Sequence, residues 1–293
     1  MEVRPAWTFR LSGRVGLDRV ARFRGGVLRR LLHLGERPVA VAVAQPAPDR
    51  VLVAARADSR EAAEWGIGRI RGALGVDQDL RPFYERFRDD PLIGAAVRSN
   101  PGLRVAARPH PFEALMWAIC EQLIEYQRAA AIQRRLVARL GRRCPISGLV
   151  DSPSPAVIAA QSPALLASCG LTETRARALI AVAREVASGR VDLLAPDHER
   201  GWRRLARIRG IGPWTLQTMA LTGQGRLDQL PAGDLGYLKL VARLSSPGRA
   251  APGARATVDE VQRLFAPYAP WAGLAGLHAL LGAANPAALR LAA

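Results

Sequence analysis

A glycine turn between two helical stretches, with an aspartate following it, constrains this chain more than any other feature. The segment reads Arg207-Ile208-Arg209-Gly210-Ile211-Gly212-Pro213-Trp214-Thr215, and Asp234 lies 24 positions beyond Gly210 (234 − 210). Neither Gly210 nor Gly212 carries a Cβ, so backbone N–H groups can approach an anion closely. Pro213 suits the first position of the next helix, where its missing N–H costs nothing. The dipole of that helix adds to a phosphate seat. Ile208 and Ile211 would anchor the turn from below, and Arg203, Arg204, Arg207 and Arg209 flank it. The plain alternative is an ordinary αα-hairpin with a glycine turn. Contacts of this kind position a protein on a nucleic acid without reading its sequence.

Charge points the same way. The 293 residues carry 42 basic against 25 acidic side chains, a net charge of +17. Lys239 is the one lysine, so the rest are arginines. Heavy Arg, Ala, Gly and Pro use can reflect coding bias, which explains Arg in place of Lys but not the excess of base over acid. A polyanionic partner explains the excess. With 49% hydrophobic residues the chain is globular and long enough for more than one domain. Cys120, Cys144 and Cys169 are scattered, and His33, His110, His198 and His278 do not cluster at ligand spacings. No signal-peptide pattern opens the chain and no apolar run reaches membrane length, so a soluble, metal-free, cytoplasmic protein is expected.

The first hundred residues read as α+β. Trp7–Gly13 alternates like a strand, and Val27–Leu34, Val39–Val43 and Val51–Ala54 are β-rich, with a turn at Gln45–Asp49. Ser59 is placed to cap a helix running to Leu74. Beyond Pro111 the pattern becomes helical throughout. Helices are predicted over 112–123, 127–140, 154–162, 163–169, 173–188, 198–208, 214–221, 234–244, 257–265 and 271–283. Residues 246–256 read as a mobile basic loop.

Asp234 sits in Leu230-Pro-Ala-Gly-Asp-Leu235, where a new helix should begin. It suits an N-cap, and the positive end of a helix suits a carboxylate meant to face a developing cation. Asp228, six residues earlier, is a rival candidate.

On these residues the chain resembles the helix-hairpin-helix DNA glycosylase superfamily, and within it the bacterial 3-methyladenine DNA glycosylase II family. Further segments carry the resemblance: Asn100–Arg104, Pro111–Ile124, Thr174-Arg-Ala-Arg-Ala178 as a stretch of DNA-facing basic residues, and Ala269–Ala275. It covers nearly the whole chain. It implies a small β-rich, TBP-like domain over residues 1–104, then an all-α glycosylase body of two lobes over 105–293. It implies that Asp234 is catalytic, that Leu123 is a wedge filling the gap left by a flipped nucleotide, and that Gln122 edges that gap. Arg209, Gly210, Ile211, Gly212, Trp214 and Thr215 would grip DNA phosphate, with hairpin carbonyls as a seat for a monovalent cation. Trp214, Thr218, Trp117, Tyr126 and Leu280 would line the base pocket.

The resemblance implies a monomer that acts on damaged double-stranded DNA at the nucleoid, with no membrane partner. Trp214 stands where lyase-type relatives carry a Schiff-base lysine, and the four cysteines of iron–sulfur relatives are missing, so no cluster and no amine chemistry are expected. A monofunctional glycosylase of base excision repair follows, excising alkylated purines of the 3-methyladenine and 7-methylguanine type and leaving an abasic site. A lesion- or DNA-binding protein of the same fold with little catalysis is the alternative. The pocket departs from the family's aromatic lining at Thr218 and Leu280, and Glu121 and Glu125 are acidic beside the wedge.

Overall fold

The computed structural model describes residues 1–13, 16–144, 147–245 and 253–283. Most of the 246–256 loop expected from sequence therefore lies outside the described residues. Five antiparallel strands come first: β1 (Glu2–Val3), β2 (Ala21–Arg24), β3 (Val27–Leu34), β4 (Arg37–Ala47) and β5 (Arg50–Arg56). Their order in the sheet is β1-β5-β4-β3-β2. Helix α1 (Arg60–Leu74), capped by the Ser59 side chain on the Ala62 N–H, covers one face. Val39, Val41, Val43, Val51 and Val53 alternate inward from β4 and β5 to meet it.

Two expectations need correction here. Trp7–Gly13 is not a strand. The Gln45 side chain accepts from the Leu11 N–H at 2.6 Å and donates to the Phe9 carbonyl at 2.8 Å. These backbone groups are thus satisfied by a side chain, and the apparent alternation reflects burial of Phe9. The stretch expected to turn at Gln45 instead continues β4 to Ala47, with a register shift between Ala44 and Ala47.

The helical part follows. Short helices α2 (Arg81–Phe87) and α3 (Gly94–Ser99) precede α4 (Pro111–Glu121), α5 (Tyr126–Leu140), α6 (Pro155–Ala159), α7 (Pro163–Ser168) and α8 (Glu173–Ala187). Then come α9 (His198–Leu205), α10 (Pro213–Gly223), α11 (Leu235–Ser245), α12 (Val258–Phe265) and α13 (Ala272–Gly282). None of these is long and apolar enough to cross a membrane.

Two cores divide this body. Helices α4 to α10 enclose the first, around Leu115, Ile119, Leu136, Leu179 and Met219. The second joins α2 and α3 to α11–α13, with Phe83, Ile93, Tyr237, Phe265 and Leu277 at its centre. Helices α2 and α3, which lie before residue 104, thus pack against the last helices of the chain. Helix α4 is buried on every side from Pro111 to Cys120, the pattern of a helix enclosed by others. Its tightest neighbour is α10: a Cβ on Gly223 would come within 2.7 Å of Ala114 Cβ and 2.9 Å of Pro111 Cα.

Buried ions tie the sheet to this body. Arg30 of β3 pairs with Glu113 of α4, and Arg108 meets Glu113 at 3.1 Å and Asp18 at 2.9 Å. His33 of β3 bonds Asp151 at 2.9 Å.

His278, fully buried in α13, stacks on Phe83 with ring centroids 5.4 Å apart. Burial pushes its pKa down to about 4 from the ordinary 6.5, against a raising contribution from a backbone hydrogen bond with Ala96. A depressed folded value means the unfolded chain binds the proton first. The stability that neutral His278 contributes is therefore complete above pH 6.5 and drains away as pH falls towards 4. Unfolding free energy from urea titrations should drop by about 2 kcal/mol between pH 7.5 and 5 on this account. His278→Gln should flatten the profile by that amount, and an identical pH profile in both proteins would contradict it.

Candidate active site

The hairpin forms as its residues require. Helix α9 ends at Leu205, and Ile208 and Ile211 pack on the first core. Gly210 has φ +91°, a conformation that L side chains rarely adopt. Gly212 is the N-cap of α10, and Pro213 occupies its first turn. Around it Arg203, Arg207 and Arg209 are exposed with no acidic partner among the described residues, whereas Arg204 is engaged by Glu185.

Asp234 directly precedes α11. Its Oδ1 accepts the Gly236 N–H at 2.8 Å, so it caps the helix as expected. Its Oδ2 accepts from the indole Nε1 of Trp214 at 3.3 Å. The hairpin helix and the aspartate are thus brought into direct contact, and the carboxylate remains half-exposed. Asp228 is different. Arg226 grips both its oxygens at 2.8 Å, Gln229 adds a third bond, and these contacts hold its pKa below the ordinary range despite burial. Its charge is committed to structure.

Helix α4 stops at Glu121, earlier than the helix to Leu123 expected from sequence. Leu123 instead turns out at φ +56° with a side chain 100% exposed. A leucine in this left-handed conformation costs about 1–2 kcal/mol, and an exposed apolar side chain recovers nothing from burial. Gln122 Nε2 donates to the Gly210 carbonyl at 2.8 Å and to Thr215 Oγ1 at 2.9 Å. The turn bearing Leu123 is thereby fastened to the hairpin.

The residues expected to line a pocket separate into groups. Thr218 follows Trp214 by one helical turn, and its buried Oγ1 has no hydrogen-bond partner among the described residues. Trp117 is 4% exposed; its Nε1 donates to Asp18 at 3.1 Å, and the Arg108 guanidinium lies 4.4 Å over its ring. Tyr126 stacks on Trp117 at 5.7 Å. Leu280 is 0% exposed within the second core and offers no surface to a base in this structure.

Residues 116–267 match the HhH-GPD superfamily base excision DNA repair protein, and residues 11–108 match the AlkA N-terminal domain. The chain belongs to the HhH-GPD superfamily of base excision DNA repair proteins. It is a DNA glycosylase, a hydrolase of N-glycosyl bonds, and its partner is DNA. It is 28% identical to the DNA-3-methyladenine glycosylase of Bacillus subtilis over 86% of this chain and 84% of that protein. It is 30% identical to a probable bifunctional transcriptional activator/DNA repair enzyme AlkA of Mycobacterium tuberculosis, over 77% of this chain but 46% of that longer protein. A solved 3-methyladenine DNA-glycosylase from Archaeoglobus fulgidus shares the fold, with a TM-score of 0.77, 22% identity and 96% of each chain covered. The α+β architecture with a two-lobed helical body agrees with these likenesses.

Other features of the glycosylase bear on ligands. The hairpin carbonyls of Gly210 and Ile208 already accept from Gln122 Nε2 and the Ile211 N–H. Among the described residues no group of three His, Cys, Asp or Glu could hold a metal ion. Arg175, in the segment expected to face DNA, is half-buried and donates from its guanidinium to the Gln122 carbonyl. No local sequence pattern marks that contact, because it joins residues 53 apart.

Two substitutions test the cap that Asp234 supplies to α11. Asp234→Ala should lower stability by about 1 kcal/mol through loss of the cap, whereas Asp234→Asn should be nearly neutral. Urea midpoints of the two variants check this, and equal losses in both would show that the cap is not what Asp234 supplies to folding.

Proposed function

We propose that this glycosylase excises alkylated purines of the 3-methyladenine and 7-methylguanine type from duplex DNA, leaving an abasic site, with Asp234 as its catalytic carboxylate. The observation that carries the assignment is the Trp214–Asp234 contact at the base of the hairpin. It brings an aromatic ring and an anion together beside the glycine turn. The names of the Bacillus subtilis and Archaeoglobus fulgidus proteins support the substrate class.

The chemistry needs little more than these groups. A base within the duplex is out of reach, so the nucleotide must swing out, at an unstacking cost of a few kcal/mol that is lowest for damaged bases. Leu123, exposed on its turn, fills the vacated stack, and the Gln122 side chain lies at the gap's edge. Arg209 and the backbone from Gly210 to Thr215 hold the phosphate chain. Breaking the base–sugar bond builds oxocarbenium character on the sugar. The Asp234 carboxylate stabilises that charge and orients water for attack. An alkylated purine already carries positive charge, stacks on the Trp214 ring and leaves without a strong general acid. Trp214 in the lysine position makes the reaction monofunctional, since no amine stands ready for a Schiff base.

Release of methylated bases from duplex DNA tests the assignment. Asp234→Asn should slow single-turnover excision by about a hundredfold or more. Wild-type excision in Asp234→Asn, or none by either protein on any methylated duplex, would rule the mechanism out; lesion-selective binding without excision would support the binding-protein alternative. At the hairpin, Arg209→Glu should weaken binding to all sequences alike and flatten the salt dependence of log K by about 0.9. A sequence-dependent loss, or an unchanged slope, would remove Arg209 from the phosphate contacts.

A further inference from the structure

The turn that presents Leu123 is closed locally by one bond, from the Ile124 N–H to the Glu121 carbonyl at 3.3 Å. Its φ of +56° crowds a leucine Cβ against the following carbonyl, and its side chain touches nothing. A backbone of this kind persists only where its surroundings over-determine it. The surroundings converge on the preceding residue. Arg175, on α8, donates to the Gln122 carbonyl. The Gln122 side chain spans to the Gly210 carbonyl at 2.8 Å and to Thr215 Oγ1 at 2.9 Å, and Thr215 is 2% exposed on α10. Beyond the turn, Ile124 packs on the first core.

We propose that Arg175 is a positioning residue for base extrusion: it fixes the Gln122–Leu123 turn and, through Gln122 and Thr215, joins that turn to the phosphate-gripping hairpin as one rigid unit. The proposal rests on the assignment of Leu123 and the hairpin as DNA contacts. Its physical content is preorganisation. A wedge on a loose loop would have to be ordered at each insertion, whereas a wedge held at a set offset from the phosphate grip enters already ordered. A guanidinium suits the task because it stays charged and its planar fork loses little freedom when it bonds. The neighbouring Arg177 is spent otherwise, exposed and paired with Glu173 on its own helix. Arg175 therefore acts on DNA through Gln122.

The test uses the full chain with Arg175→Met, Arg175→Lys and Thr215→Val, and a methylated duplex carrying 2-aminopurine beside the lesion. Arg175→Met should lower both the fluorescence rise on extrusion and the single-turnover excision rate about tenfold, the weight of one charge-assisted hydrogen bond. Affinity for undamaged duplex and its salt slope should stay as in wild type. Arg175→Lys keeps a donor and should recover part of the rate, which a purely structural loss would not show. Thr215→Val, close to isosteric, should weaken extrusion in the same direction and carries the test if Arg175→Met does not fold. Extrusion at the wild-type rate in Arg175→Met, or in both Arg175→Lys and Thr215→Val, overturns the proposal. So does a salt slope flattened by about 0.9 in Arg175→Met, the mark of a lost phosphate contact. Asp234→Asn run alongside separates the two claims. If it is inactive while Arg175→Met extrudes normally, only the positioning role falls; if it retains full activity, the catalytic assignment falls instead.

Discussion

Helix α4 must be enclosed. Ten successive residues from Pro111 to Cys120 are buried, so the helix has no face it can leave to water. Helices α5, α8 and α10 pack around it, and Gly223 lets the α10 backbone come close. What happens at its two ends follows from that fixed axis. Near its start Glu113 meets Arg30 and Arg108, and Trp117 donates to Asp18, so the sheet and the N-terminal segment are pinned to the helical body. Buried ion pairs add little net stability, but a wrong docking of the sheet would leave these charges unpaired, which is costly. At its far end the chain leaves the helix into the Gln122–Leu123 turn and is caught by the hairpin and Arg175.

Helix α10 is the second axis because it belongs to both cores. Leu216 and Met219 pack into the first, and Leu221 packs into the second. Asp234 follows the buried Leu230 and Ala232 of the second core. The Trp214–Asp234 contact is therefore a seam between two packed bodies, with the ring supplied by one side and the carboxylate by the other. A site built on such a seam holds its groups through packing on rigid elements.

Local chemistry was legible wherever a few adjacent residues decide the outcome. The N-cap roles of Ser59 and Asp234, Pro213 in the first turn of α10, and the turn at Gly210 all follow from short-range geometry. The local pattern misleads where distant residues decide. Trp7–Gly13 alternates like a strand, but Gln45 takes its backbone bonds. Leu123 extends the helical pattern of α4, yet contacts from α8 and the hairpin hold it outside the helix. Helices α2 and α3 carry too little periodic sequence to declare themselves, and they take their place from the second core. Leu280, expected near a base, is claimed by that same core.

The sequence by itself determined the turn, the caps, the charge and the family, because each depends on residues close together or on counts that folding does not alter. Only the tertiary structure decided which aspartate is left half-exposed beside Trp214, since Asp228 and Asp234 differ mainly in what the fold sets against them. It also decided that Arg175 bonds the Gln122 carbonyl. An arginine's sequence neighbours say that it is charged, but its partner is set by packing between helices distant in the chain.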